Sequence, residues 1–329
     1  FIIFVSLLVF IINNVVGVGA YMANFNADLS GYPKTTTNND IFGSDKALKY
    51  PMKRMWFIEG DKVFYIKSMT ISKSKKDKEM EILQPKDLIE RYEDLFGKIW
   101  DANLTVKDVA KDLFSTVDIM NFGATFTGSE SESKTAKKKI GHNISITGAV
   151  QINQGFNLYE KTNVLAQDIL SPFRNPNDKS EDKTATSIGT KIVTDEAHYV
   201  YSFSVNPANY ADYVGLIDGF EGYTIEAYEK FKRAARVATT AFNTNSKSGC
   251  ENELVLFIEL KEDSKLFLAN LDRYVEVRKK EKQTLYDLSK LAEIIAPQQE
   301  EIQSIELFHN PISVEVNYGS LPCAVNSIF

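Results

Sequence analysis

The stretch VVGVGAYMANF, Val15–Phe25, is apolar and uncharged, and it predicts a buried β-strand near the start of the fold. Gly17 and Gly19 within it resemble the opening of a dinucleotide-binding fingerprint. The third glycine of that fingerprint is missing, because Met22 occupies its position. We therefore reject nucleotide binding here and interpret the stretch as a core strand.

The segment upstream of this strand, FIIFVSLLVFII at Phe1–Ile12, is almost wholly apolar. It is too short to span a bilayer, which takes about 20 residues. It would fit the apolar region of a signal peptide, with a small-residue cleavage site at Gly17–Ala20, but no basic residue precedes it. We interpret residues 1–12 as an N-terminal extension of one domain that covers residues 13–329.

Strands and helices are interleaved downstream without a regular βαβ repeat. Strands are predicted at Lys62–Met69, Asn121–Thr127, Ile144–Ile152, His198–Val205, Leu254–Leu260, Ile305–Phe308 and Ile312–Val316. Helices are predicted at Pro85–Phe96, Val106–Phe114, Thr224–Phe242 and from the charge run Arg278–Lys282 to Ile295. This order predicts an α+β fold with long insertions rather than a doubly wound sheet.

Three long polar segments interrupt these elements. Asn26–Ser44 is rich in Gly, Asn and Thr and predicts a loop, and Gly128–Gly141 predicts the tip of a hairpin. Ser171–Thr190 carries two prolines and few core-forming residues. Such segments within a domain are usually functional or disordered.

Composition excludes several classes of protein. The net charge of −6 argues against nucleic-acid binding through the whole surface, so RNA contacts would have to come from local basic patches. The two cysteines form no disulfide framework, and no Cys/His pair has zinc-ligand spacing. Walker A, G-x-S-x-G and H-E-x-x-H motifs are all missing from the sequence. We predict a cytoplasmic protein without a cofactor, metal site or catalytic constellation.

The clearest basic patch is SDKALKYPMKRM, Ser44–Met55. On a helix, three lysines fall within about 60° of one another: Lys46, Lys49 and Lys53. Three apolar residues fall on the opposite side: Leu48, Met52 and Met55. Pro51 predicts a kink or two short helical turns, and Arg54 follows the lysines. Lysines one turn apart could line a phosphate track, although the same pattern is typical of an ordinary solvated amphipathic helix.

A second basic candidate is the polar arm Ser171–Lys191. Its cations are Arg174, Lys179, Lys183 and Lys191, and nearby acidic residues offset much of their charge. Phe173 is an aromatic residue that could stack on bases. A flexible surface loop is the alternative interpretation of this arm.

Several stretches, taken in order, resemble the Cas-seven backbone family of type I CRISPR systems, most closely the type I-B branch. They are Ala23–Thr35 (ANFNADLSGYPKT), Phe42–Arg54 (FGSDKALKYPMKR), Met120–Phe126 (MNFGATF), Ile146–Asn157 (ITGAVQINQGFN), Asp168–Asn175 (DILSPFRN), Asp195–Pro207 (DEAHYVYSFSVNP) and Asn243–Leu254 (NTNSKSGCENEL). None of them is a catalytic signature. Two departures concern the first loop, Asn26-Ala27-Asp28, and the position before Phe122-Gly123, where relatives commonly carry a basic residue.

The resemblance implies a fold and a function. The fold would be an RRM-like or ferredoxin-like palm with large insertions, including a thumb-like hairpin at about residues 171–191. Copies would stack along a guide RNA as a non-catalytic backbone, with CRISPR RNA, other copies, other Cascade subunits and, through the guide, a target DNA strand as partners, and with no membrane. The residues expected to contact RNA are Asn26, Lys46, Lys49, Lys53, Arg54, Gln151, Asn153, Gln154, Phe173, Arg174, Lys179 and Lys183.

Two alternatives stay open at this point. Related backbone subunits of type III complexes cut RNA with a loop aspartate and a metal ion, a role for which Asp28, Asp40 and Asp45 are candidates. A single loop aspartate is weak support, because aspartate is a normal turn residue. The other alternative is an exported or membrane-associated binding protein, suggested only by Phe1–Ile12.

Overall fold

The computed structural model describes residues 7, 10–73, 80–101, 103–129, 141–174, 185–268 and 270–329. The strands are β1 (Ile12–Ala23), β2 (Phe42–Gly43), β3 (Met69–Lys73), β4 (Glu81–Pro85), β5 (Gly123–Ser129), β6 (Gly141–Thr147), β7 (Val150–Ile152), β8 (Gly155–Asn157), β9 (Val164–Arg174), β10 (Ala185–Val205), β11 (Cys250–Leu260), β12 (Glu276–Lys280), β13 (Gln283–Asp287), β14 (Ile302–His309), β15 (Val314–Asn317) and β16 (Ala324–Ser327). The helices are α1 (Asp45–Ile58), α2 (Leu88–Phe96), α3 (Val106–Phe114), α4 (Val117–Phe122), α5 (Ile225–Ala241) and α6 (Ser289–Ile295). Short 3-10 helices cover Pro207–Tyr213, Leu271–Tyr274 and Ala296–Glu301.

A nine-stranded sheet forms the centre of the fold, in the order β16-β14-β11-β1-β10-β8-β2, with β7 and β9 also paired to β10. Its pairs are antiparallel except for β14 with β16. The first predicted strand is thus β1, which begins earlier than predicted, at Ile12, and lies between β10 and β11. A central position explains why this strand is apolar on both faces.

The central sheet separates two cores. Alternate residues of β1 point to opposite faces, so Val16 belongs to one core and Val15 to the other. Helices α1 and α5 contribute to the first core through buried residues such as Met52 and Phe231. The small sheet β12-β13-β15 and helix α6 contribute to the second, for example through Tyr286. This arrangement confirms the predicted α+β class.

The two glycines of the first strand have a packing role. A Cβ on Gly17 would lie 2.7 Å from the hydroxyl of Tyr286, and one on Gly19 would lie 2.5 Å from a carboxylate oxygen of Glu253. These glycines therefore leave space for the side chains of Tyr286 and Glu253 to pack against β1. This packing explains both glycines, and no nucleotide-binding role is needed.

Glu253 belongs to a buried polar network between the central sheet and the small sheet. One oxygen of its carboxylate accepts from Tyr21 at 2.6 Å, and the other contacts Nδ1 of His198 at 2.7 Å and accepts from Tyr286 at 2.6 Å. On its other ring nitrogen, His198 lies 3.2 Å from Glu196. The carboxylate is therefore fully paired, as a buried charge requires.

Several helix predictions are confirmed. Helix α3 has the predicted bounds, and α5 follows Thr224, whose hydroxyl accepts from the backbone of Ala227 as an N-cap. Helix α2 begins later than predicted because β4 extends to Pro85 and Asp87 forms the N-cap. The charge run Arg278–Lys282 does not lead directly into a helix, since β12 and β13 form a hairpin before α6.

Several strand predictions are wrong in part. Ile144–Ile152 is divided between β6 and β7, which belong to different sheets. Lys62–Met69 is mostly a loop, because the backbone amides of Phe64 and Tyr65 donate to Asp118 instead of to a neighbouring strand. Asn121–Thr127 begins inside α4, and the strand starts only at Gly123, whose φ of +72° ends the helix.

Both predicted long hairpins have paired flanks. Strand β5 pairs with β6, and β9 pairs with β10 in an antiparallel ladder from Val164↔Thr194 to Arg174↔Ala185. The arm predicted at Ser171–Thr190 is thus a continuation of two strands, because the ladder persists beyond the central sheet. The hairpin tips, residues 130–140 and 175–184, lie outside the described residues.

Only part of the N-terminal segment is described. Leu7 forms an isolated bridge with Thr224, and Phe10 and Ile11 pack against the first and second cores respectively. The cleavage site considered at Gly17–Ala20 lies inside the central strand β1. Among the described residues, no helix has the length and apolarity needed to cross a membrane.

Candidate nucleic-acid interface

The start of α1 and the polar stretch after β7 meet at one edge of the central sheet. The two-residue strand β2 pairs with β8 through Phe42↔Phe156 and Gly43↔Gly155. Because α1 follows β2 after Ser44 alone, Gln154 lies beside the N-terminus of that helix. We call this surface, formed by residues 26, 42–46 and 153–156, the α1 edge.

Gly43 and Gly155 allow the α1 edge to pack closely against the buried side chain of Tyr201. A Cβ on Gly43 would lie 2.1 Å from the hydroxyl of Tyr201, and one on Gly155 would lie 2.4 Å from its ring. Tyr201 is fully buried and donates to the backbone oxygen of Ser44 at 3.3 Å. The ring therefore fixes the position of the first turn of α1 on the sheet.

Replacing Gly155 by alanine should lower the free energy of unfolding by about 1–3 kcal/mol, because the new methyl group overlaps a ring that cannot move. Gly141→Ala, on β6, is the matched control, since among the described residues a Cβ there would meet the backbone oxygen of Gly128 at an ordinary contact distance of 3.7 Å. Urea unfolding followed by circular dichroism measures both. Equal stability of the two variants would contradict the close contact with Tyr201.

Asn26 holds the first loop against α1. Its side-chain oxygen accepts from the backbone amide of Ser44 at 2.7 Å, and its backbone oxygen accepts from the backbone amide of Lys34 at 2.9 Å. The residue predicted to contact RNA thus also positions the N-terminus of the helix.

Helix α1 is one continuous helix, so the prediction of two short turns is wrong. Pro51 lies inside it and is buried, as are Leu48, Met52 and Met55, the predicted apolar face. Packing of that face against the first core stabilises the helix despite the proline. The lysines and the buried apolar residues therefore lie on different sides of α1, as the sequence predicted.

The three lysines of α1 share a face but differ in environment. Lys46 is exposed and, within the part of the chain that is described, makes no ion pair. Lys49 pairs with Asp45 at 3.0 Å, one turn earlier. Lys53 lies 3.8 Å from Asp118 and has a mostly buried side chain. Of these three lysines, Lys46 is therefore the one without an ion-pair partner among the described residues.

Lys53 belongs to a mostly buried cluster that also contains Asp118 and the loop residues Phe64 and Tyr65. Both oxygens of Asp118 accept backbone amides at 2.8 Å, from Phe64 and Tyr65, and the Lys53 ammonium lies 5.4 Å above the Tyr65 ring. Burial lowers the pKa of Lys53, against the opposing effect of Asp118. Arg54, the next residue, is half-buried over the Phe57 ring.

Three further amide residues are predicted to contact RNA. Gln151 lies in β7, and Asn153 and Gln154 lie between β7 and β8. Gln151 donates to the backbone oxygen of Gly148 at 2.8 Å. Asn153 donates to Ser202 and Asn270. Gln154 is exposed. All three lie along the chain that leads into β8, and Gln154 is the one that adjoins Gly155, the partner of Gly43 just before α1.

The remaining predicted contacts are on the long hairpin. Phe173 and Arg174 lie at the end of β9, and their side chains are outside the described residues. Lys179 and Lys183 are outside them entirely. These four positions therefore stay predictions.

Sequence reasoning missed Lys247, a cation close to the first loop. Its ammonium donates to the backbone oxygen of Asn24 at 3.1 Å and lies 5.1 Å above the Phe25 ring, with no carboxylate within 4 Å among the described residues. Burial lowers its pKa to about 8. The stretch Asn243–Leu254 contains it, but a single lysine between serines carries no charge pattern that would have singled it out.

The loop aspartates considered for metal-dependent cleavage have structural partners. Asp28 accepts from the backbones of Ser30 and Tyr32, as in a turn. Asp40 accepts from Thr36, and Asp45 pairs with Lys49. Across the described ranges, no three His, Cys, Asp or Glu side chains are grouped to hold a metal ion.

Comparison with known proteins identifies the family. Two solved structures that match are chains of a CRISPR RNA-guided surveillance complex, pre-nicking, and of a CRISPR RNA-guided surveillance complex. Each is 13% identical to this chain with a TM-score of 0.47, covering 95% of this chain and 97% of the first structure's chain, and 92% and 91% for the second. No curated protein matches. The profile described as CRISPR-associated protein Cas7 matches residues 12–295, which confirms the resemblance. The chain therefore belongs to the CRISPR-associated protein Cas7 family.

Proposed function

We propose that this chain is a non-catalytic backbone subunit of a CRISPR Cascade complex and coats guide RNA in the cytoplasm. The observation that carries the proposal is the α1 edge, where the pairing of Gly43 with Gly155 brings the exposed Lys46 and the exposed Gln154 to the same edge of the sheet. Cations and amides contact sugar and phosphate without reading bases. A subunit that holds guides of any sequence needs such contacts, and membership of the family supports this role.

The proposed assembly uses the long hairpin. Strand β10 has 21 residues, but β1 pairs with it only from Thr194 to Val205. Residues 185–193 pair with β9 and extend beyond β1 as a two-stranded ribbon. In the proposal, the central sheet is an RRM-like palm within one domain, residues 13–329, and this ribbon is the thumb at about 171–191. It folds over RNA held by a neighbouring copy, where Phe173, Arg174, Lys179 and Lys183 contact the strand.

The proposed partners follow from this arrangement. They are CRISPR RNA, other copies of the chain, other Cascade subunits and the target DNA strand that pairs with the guide. A net charge of −6 suits a subunit whose positive charge is confined to one surface. The type I-B branch stays a prediction from the sequence stretches.

Binding of single-stranded RNA should be insensitive to sequence and sensitive to salt. Fluorescence anisotropy of the full chain with two labelled RNAs of unrelated sequence, at several KCl concentrations, measures both properties. Lys46→Ala should weaken binding to both RNAs and reduce the slope of log K against log salt by about 0.7, the value for one phosphate contact on a single strand. Lys282→Ala, on the exposed turn between β12 and β13, is the matched control and should leave the slope unchanged.

Three outcomes would count against the proposal. Failure of the full chain to bind either RNA would contradict RNA coating. An unchanged slope in Lys46→Ala would remove the α1 edge from the interface. Cleavage of the RNA in the presence of Mg²⁺, abolished by alanine at Asp28, Asp40 or Asp45, would favour a metal-dependent nuclease instead.

A further inference from the structure

A cleft runs between the small sheet and the turn that connects β8 with β9. Its volume is about 590 Å³, within the range of about 300–1,000 Å³ that is typical of ligand-binding clefts. One wall is the turn at residues 158–161, and the other is residues 275–279, which include most of β12. The backbone amide of Leu158 donates to the backbone oxygen of His198 on β10 at 2.9 Å, so the first wall is attached to the central sheet.

The second wall is the free edge of β12. Successive residues of a strand point to opposite faces of its sheet, yet four consecutive residues of β12, 276–279, line the cleft. A cleft that is lined from both faces of a strand lies along the edge of that strand. In the part of the chain that is described, β12 pairs only with β13, and no residue of β13 lines the cleft. This edge therefore presents backbone N–H and C=O groups to which no other strand is paired.

The two faces of β12 differ in character. Val275 and Val277 are buried in the second core, whereas Arg278 and Lys280 are on the opposite face with side chains 57% and 54% exposed. On the far wall, Lys161 is exposed and has no ion pair among the described residues. A strand added at this edge would thus have cations beside one of its faces and valines beside the other.

We propose that the β12 edge binds an extended segment of a protein partner in which acidic and apolar residues alternate, and that this segment adds to the small sheet as a further strand. Backbone hydrogen bonds would supply affinity, and alternate side chains would supply specificity. The carboxylates would lie beside Arg278 and Lys280, since opposite charges on neighbouring strands attract. The inference goes beyond RNA coating and does not depend on it.

The same charges disfavour two other occupants. A second copy of this edge would place arginine and lysine side chains against one another, which is destabilising on neighbouring strands. An RNA strand has no amide groups to match the backbone of β12, and its phosphates would meet Glu160 and Glu276, which also line the cleft.

The probe is a fluorescein-labelled peptide of eight alternating glutamates and valines, and fluorescence anisotropy measures its binding to the full chain. Arg278→Glu with Lys280→Glu should weaken binding at least tenfold, because attraction becomes repulsion. Lys67→Glu with Lys73→Glu is the matched control: it makes the same charge change at two exposed residues outside the cleft and should change binding less than twofold. Lys161→Glu, which breaks no ion pair in the described ranges, repeats the test if circular dichroism shows that the double variant is unstable.

Backbone pairing is tested by methylating the amide nitrogens of the peptide. Only alternate residues of an added strand direct their N–H groups toward β12, so methylation of one alternate set should abolish binding and methylation of the other set should preserve it. Binding of the unmethylated peptide should also slow hydrogen–deuterium exchange at residues 276–280.

Several outcomes would overturn the strand addition. They are failure of the acidic peptide to bind at concentrations up to about 1 mM, equal loss of binding with both methylated sets, and equal weakening by the control variant. Displacement of the peptide by single-stranded RNA that protects residues 276–280 from exchange would assign the edge to nucleic acid instead. RNA coating is measured separately with labelled RNA, so the two proposals can fail independently.

Discussion

Replacement of Lys53 by glutamate is expected to lower the free energy of unfolding by about 3–5 kcal/mol, the usual cost of breaking a buried ion pair. The Lys53 side chain is 17% exposed and that of Asp118 is 0% exposed. The substitution would place a second carboxylate beside Asp118 where little water can screen the repulsion. It would also disturb the acceptor of two backbone amides, at Phe64 and Tyr65.

Lys46→Glu is the matched control, since it makes the same charge change about two turns away on the same face of the helix. Lys46 is exposed and makes no ion pair in the described ranges, so its replacement should change stability by no more than about 0.5 kcal/mol. Urea unfolding monitored by tryptophan fluorescence and circular dichroism compares the two variants. Similar stabilities would show that the Lys53–Asp118 ion pair does not stabilise the fold.

This pair of variants also decides how RNA data are interpreted. Loss of RNA binding in Lys46→Glu with unchanged stability would indicate a direct contact at the α1 edge. The same loss in Lys53→Glu would reflect displacement of α1 and the loop at Phe64. Basic residues on one helix face are therefore not equivalent probes of an RNA track.

The second large effect is expected at the centre of the buried network. His198→Ala should lower the free energy of unfolding by about 3–5 kcal/mol, because Glu253 would keep a buried charge without its cationic partner. Both side chains are fully buried and lie 2.7 Å apart. Tyr21 and Tyr286 would still donate to Glu253, but neutral donors cannot balance its charge.

The stabilisation by His198 should depend on pH. Burial lowers the pKa of His198, but the carboxylates of Glu253 and Glu196 raise it more, so the net pKa is above its ordinary value. Lys279 pairs with Glu196 on the outer side of the network. Because the folded chain binds this proton more tightly than the unfolded chain, the stabilisation is full below a pH of about 6.5 and is lost as pH rises through the raised pKa.

The measurement is the difference in unfolding free energy between the wild type and His198→Ala, determined from about pH 6 to pH 9. The difference should be largest at the acidic end and shrink as pH rises. Lys279→Ala is the control at the half-exposed rim of the same network and should cost no more than about 1 kcal/mol. A difference that grows with pH would mean that His198 is neutral in the folded chain.

Local sequence patterns determined a large part of this protein. The apolar run of β1, the bounds of α3, the Thr224 cap of α5 and the buried face of α1 all follow from short-range periodicity. Such periodicity reports which side of an element faces the core. The ordered stretches also identified the family, which the profile match confirms.

Only the tertiary structure decided which groups meet across the fold. Lys53 meets Asp118, His198 meets Glu253, and the two-residue strand β2 brings Gly43 to Gly155, although each pair is far apart in sequence. A strand of two residues is too short to show a period, and a charged side chain does not reveal its partner. Sequence fixes the face that each residue presents, whereas strand order and register fix what that face contacts, because these depend on packing the whole chain at once.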